Sequence, residues 1–111
     1  MPKREVGPTK KLKATKKRKL ILLAEKCAQF LKSKYKVKRV ILIGSLVKGF
    51  FHDRSDIDLV VEGLAPELYI KALTELYDLL PQGVELNLIP YEDAFDTLKD
   101  KTIKEGKLIY G

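Results

Sequence analysis

VKRVILI (Val37–Ile43), then Gly44-Ser45, then ten residues, then DIDLVV (Asp56–Val61): this stretch decides how the chain folds. Both flanking runs concentrate β-branched and aliphatic side chains and predict strands. Gly44 closes the first run, where the absence of a Cβ lets the backbone turn sharply and lets another group approach the main chain. Leu46 to Phe51 reads as a short helix interrupted by Gly49, and His52 to Ser55 as a loop. Six or seven residues of helix and a loop are too few for an ordinary crossover between parallel strands. The two strands are therefore expected to run antiparallel.

Outward from this core, Leu20, Leu23, Ala24, Cys27, Phe30, Leu31 and Tyr35 recur at three- and four-residue spacing, which predicts one amphipathic helix from about Thr15 to near Lys34. Downstream, Pro66 suits a first helical turn, and Leu68, Ile70, Ala72, Leu73, Leu76, Tyr77 and Leu80 support a helix up to Pro81. VELNLI (Val84–Ile89) predicts a third strand, closed by Pro90. A last helix is expected over Glu92 to Lys104, with Gly106 as its C-terminal stop and Leu108-Ile109-Tyr110 as a short edge strand. The fold class is α/β (α+β): a small mixed β-sheet of three to four strands with helices packed on it.

The chain has 111 residues and 45% apolar content, which suits one domain with one small core. Its longest uncharged apolar run, Leu20 to Ala24, is far below the roughly 20 residues of a membrane span. One Cys and one His exclude both an internal disulfide and a structural zinc site of four Cys or His ligands. A soluble cytoplasmic protein is expected, with no membrane partner. The net charge of +7 is unevenly spread, since residues 1–40 hold 15 Lys/Arg against Glu5 and Glu25. Residues 1–14 read as a flexible basic leader and residues 15–111 as the folded domain; the stretch to about Lys10 has nothing to bury and should be mobile.

The chemistry sits at the ends of the predicted strands. Asp56 and Asp58 stand two apart on one strand, so both carboxylates project from one face. Such a pair repels in isolation, and a hard divalent cation such as Mg²⁺ removes the conflict while also taking phosphate oxygens. Ser45 opens a helix whose free N–H groups favour an anion such as phosphate. Glu85 and Asn87 repeat the two-residue spacing on the third strand. If that strand lies beside the second, Glu85 completes three acids around a pair of cations, the arrangement of two-metal phosphoryl transfer. Glu85 would then take the acceptor's proton, and Gly44-Ser45 would hold a nucleoside triphosphate. Asn87 reads as a structural hydrogen bonder, and His52, Arg54 and Lys48 as solvated charges.

Gly44-Ser45, ten residues and Asp56-x-Asp58 resemble the signature of the minimal nucleotidyltransferase (MNT) family of the DNA polymerase beta superfamily. Gly49 and Ser55-Asp56-Ile57-Asp58-Leu59 fit that pattern, and Ile103-Lys104-Glu105-Gly106-Lys107-Leu108-Ile109-Tyr110 is similar to the family's I-x-x-E-G-x-x-L-Y ending, with one residue's latitude at the Tyr. The resemblance spans about residues 20–111. It implies a DNA polymerase beta-like fold and a magnesium-dependent enzyme, with two ions expected, moving a nucleoside monophosphate from ATP or another NTP to a hydroxyl. Many members are antitoxins that adenylylate a tyrosine of a HEPN-type ribonuclease toxin. Carried across, Gly44 and Ser45 bind nucleotide, and Asp56, Asp58 and Glu85 are the metal-binding and catalytic acids, with Glu85 standing where Asp is more usual. The other class of reading is a non-catalytic nucleotide-binding or toxin-capping module, with non-specific nucleic-acid attraction through the Lys-rich leader.

Overall fold

The computed structural model describes residues 8–44 and 56–111. The predicted short helix at Leu46–Phe51 and the loop to Ser55 lie outside the described residues. Helix α1 spans Pro8–Phe30 and closes in a π-helical turn, Leu31–Tyr35, ended by Lys36 in the left-handed conformation with its N–H on the Lys32 carbonyl. Strand β1 (Arg39–Ile43) and strand β2 (Asp56–Glu62) follow. A 3₁₀ turn at Pro66–Leu68 leads into α2 (Tyr69–Leu79), then β3 (Glu85–Pro90). A second 3₁₀ turn, Tyr91–Asp93, precedes α3 (Asp96–Glu105), and β4 (Lys107–Tyr110) ends the fold. Among the described residues no helix is long and apolar enough to cross a membrane.

The sheet order is β3-β2-β1-β4. β1 pairs antiparallel with both β2 and β4, and β2 pairs parallel with β3, so the sheet is mixed as expected. Alternation then sorts the side chains. Val40 and Leu42 of β1, Ile57, Leu59 and Val61 of β2, and Leu86 and Leu88 of β3 join Leu20, Ala24, Cys27, Ala28 and Leu31 of α1 and Ala72 and Leu76 of α2 in one core. Burial pushes the Cys27 thiol up to about 11, so it stays protonated and inert at neutral pH. At the rim, Tyr35 and Lys34 both donate to the Glu75 carboxylate and tie the end of α1 to α2.

Two sequence expectations need correction. The first helix begins at Pro8 rather than about Thr15: proline suits a first turn, and Lys, Leu and Ala are good helix formers even without an apolar stripe. The last helix starts at Asp96 rather than Glu92, after the 3₁₀ turn at Tyr91–Asp93; Gly106 ends it as expected, although its φ of −74° needs no glycine. What it requires is the missing Cβ, which would run into the Ile41 side chain and the Thr102 carbonyl. That close approach seats the end of α3 on the second face of the sheet, over Ile41.

β3 is an edge strand, and α2 covers its outer rim with hydroxyls. Tyr77 OH donates to the Leu86 carbonyl and accepts from the Leu86 N–H, both at 3.1 Å, and Tyr69 OH donates to the Leu88 carbonyl at 2.6 Å. Tyr77→Phe removes both Leu86 contacts while keeping the ring. It should cost about 1–2 kcal/mol, read as a lower urea midpoint with an unchanged m-value.

Candidate active site

The burial that makes the core also builds the site. With Ile57, Leu59 and Val61 turned inward, the alternation of β2 turns Asp56 and Asp58 to the other face, where both are half-buried. The parallel register places Glu85 opposite Asp56 and Asn87 opposite Asp58, and both lie exposed on that same face. The antiparallel register places Ile43 opposite Asp58, which brings Gly44 alongside it. Two strand pairings thus converge on the first residues of β2.

Asp58 is the best-defined group. Asn87 Nδ2 donates to Asp58 Oδ1 at 2.6 Å, which fixes the carboxylate's rotation and leaves Oδ2 directed at Gly44. Gly44 has φ +87°, and a Cβ there would overlap Asp58 Oδ2. Glycine is therefore required twice, for the left-handed turn and for the close approach. Among the described residues, no ion pair or side-chain hydrogen bond engages Asp56 or Glu85. Asn87, read from sequence as a structural hydrogen bonder, has the task of orienting Asp58. Only the strand register reveals that partner.

Ser45, like His52, Arg54 and Lys48, lies outside the described residues. The three acids share one face in adjacent register, but among the described residues no three His, Cys, Asp or Glu side chains form a group able to hold a metal ion. The paired donors Asp56 and Asp58 nonetheless suit Mg²⁺, which typically takes one or two carboxylates together with substrate phosphates and water. The hard oxygen chemistry fits, and it does not need a closed cage of protein ligands. A separate cavity of about 650 Å³, lined by Gly63, Leu64, Pro66, Tyr69, Pro90 and Glu92, lies at the far ends of β2 and β3. It is distinct from the acid pair.

Comparison with known proteins now joins the geometry. Residues 25–111 match the family model described as Polymerase beta, Nucleotidyltransferase. The chain belongs to this nucleotidyltransferase family. A protein of Methanocaldococcus jannaschii, which carries the provisional name of protein adenylyltransferase, is 34% identical over 89 residues, covering 72% of this chain and 87% of that one. The fold also resembles a toxin–antitoxin crystal structure with AMP-PNP, at TM-score 0.64 and 24% identity over 78% of this chain and 73% of the other. A mutant form of the toxin–antitoxin MntA-HpeT gives TM-score 0.60 and 22% identity, covering 86% of this chain and 73% of the other. The enzyme class and the mixed-sheet fold expected from sequence both stand.

Gly83 offers a control for Gly44, because its φ is +94° but no atom lies within 4 Å of its would-be Cβ. Gly83→Ala should show the conformational cost alone, about 1 kcal/mol. Gly44→Ala should cost about 1–3 kcal/mol more in urea denaturation. Adding Asp58→Ala to Gly44→Ala should recover most of that excess in a double-mutant cycle.

Proposed function

We propose that the protein moves AMP from ATP, with magnesium, onto a hydroxyl of a partner protein, and that the partner is a HEPN-type toxin which this modification neutralises. The observation that carries the reading is the placement of Asp56 and Asp58 on one open face, with Asp58 held between the Asn87 amide and the glycine turn. Family membership supports nucleotidyl transfer, and the name of the archaeal relative supports a protein acceptor. The toxin–antitoxin neighbours support the kind of partner. In this reading residues 15–111 are the nucleotidyltransferase domain and residues 1–14 a leader outside it.

Each side chain has a task. Asp56 and Asp58 would hold the magnesium ions, two of which are expected, and Asn87 keeps Asp58 in its binding rotamer. When bound, the metal supplies charge neutralisation at the phosphates and lowers the pKa of an oxygen placed on it. Gly44 leaves room for the triphosphate beside Asp58, and Ser45 would bind it through the following helix start. Glu85, one strand away with its carboxylate uncommitted, accepts the proton from the acceptor hydroxyl. The acceptor hydroxyl would arrive on a partner protein, in line with the name of the archaeal relative.

The test is incubation of the chain with labelled ATP, Mg²⁺ and a HEPN-type toxin protein. Label should pass to the partner, and chelation should abolish transfer. Asp58→Ala should lower the rate about a hundredfold to a thousandfold or more. Its stability should stay within about 0.5 kcal/mol, because the site is open to water. Undiminished transfer by Asp58→Ala would overturn the assignment. Neutralisation of the toxin by an Asp56→Ala/Asp58→Ala double variant, at equal abundance, would show that capping and not catalysis protects.

A further inference from the structure

Seven of the twelve residues from Pro8 to Lys19 are basic and none is acidic, and this stretch is the first half of α1. Lys10 and Lys13, Lys13 and Lys16, Lys13 and Lys17, and Lys16 and Lys19 stand three or four residues apart, where like charges on a helix repel. They crowd the end of the helix whose backbone dipole is already positive, and the first turn holds no acid to offset it. Among the described side chains, those that α1 gives to the core begin at Leu20. This half of α1 is therefore a helical run of cations with no acid in its own sequence.

We infer that the Pro8–Lys19 half of α1 is a docking surface for double-stranded DNA, held through the phosphate backbone without base-sequence preference. Twelve helical residues span about 18 Å, and B-form DNA presents a negative charge about every 1.7 Å of its axis, so the partner's charge density exceeds that of the helix. The B-form major groove admits an α-helix, whereas the A-form major groove of duplex RNA is too narrow for side chains to enter. Single strands fit less well, because no aromatic residue lies between Pro8 and Lys19 to stack on bases. The stretch also contains no Asn or Gln to read base edges, and six of its seven cations are lysines, which meet phosphate as point charges. A polyanion removes the repulsion that this half of the helix otherwise carries, so binding and helix formation support each other. The part of α1 from Leu20 on packs on the face of the sheet opposite Asp56 and Asp58.

The experiment is fluorescence anisotropy of the full chain with a labelled duplex DNA of about 20 base pairs, between about 50 and 200 mM salt. The logarithm of affinity should fall linearly against the logarithm of salt concentration, with a slope of roughly −4 to −6. The variant Lys10→Gln/Lys13→Gln/Lys16→Gln/Lys17→Gln keeps good helix formers. Its slope should flatten by about 3 to 4 units, and its affinity at the lowest salt should drop at least about tenfold. The matching Lys→Arg variant keeps the charge and should bind as the parent does; circular dichroism confirms that both variants are folded. No binding of duplex DNA at the lowest salt overturns the inference. So does an unchanged slope in the Gln variant or lost binding in a folded Arg variant. Tighter binding of duplex RNA, single-stranded DNA or polyglutamate than of duplex DNA overturns it as well.

Discussion

Everything chemical in this protein depends on which way β2 faces. Ile57, Leu59 and Val61 are wholly buried beneath α1 and α2, and a slip of one residue would place Asp56 and Asp58 in that core instead. Burying two uncompensated carboxylates would cost far more than the sheet gains from any other register. The hydrophobic effect, which knows nothing of catalysis, thereby sets the direction of both acids to within a side-chain rotation. The Asn87 amide then removes most of that remaining freedom for Asp58. Non-specific burial aims the pair, and one specific hydrogen bond trims it.

The neighbouring strands divide the rest of the work. β1 arrives antiparallel and delivers the glycine turn beside Asp58, while β3 arrives parallel and delivers Glu85 and Asn87. A mixed sheet is what allows this, because the C-terminal end of β1 and the N-terminal ends of β2 and β3 then meet at one edge. α3 occupies part of the same face over Ile41, held close by the missing side chain of Gly106. Among the described residues, α3 therefore shields one part of the second face and the acids lie on another.

Much of this was legible in the chain. The β-branched runs, the short link between them and the two-residue spacing of the acids were enough to expect antiparallel β1 and β2, a mixed sheet and a shared acidic face. Less accessible were features that depend on depth and not on pattern. The Lys-rich first half of α1 has no apolar periodicity, so its helicity is invisible to an argument from amphipathicity. Gly106 looks like any glycine after a helix, and only packing shows that a Cβ, not a backbone angle, is what the site excludes. Sequence left open whether the third strand would lie beside the second, and it did not show how closely the three acids group, since side-chain closure depends on sheet twist and rotamer.

The tyrosine hydroxyls along β3 also determine how the sheet can meet other chains. With the Leu86 N–H and carbonyl engaged by Tyr77 and the Leu88 carbonyl by Tyr69, that rim offers less to an incoming backbone. Extension of the sheet by a foreign strand is thus steered to the opposite rim, beside β4, two strands away from the acids. Intermolecular β-addition and access to the face of Asp56 and Asp58 are spatially uncoupled, so a scaffold or fusion grafted along β4 would attach two strands away from the acid pair.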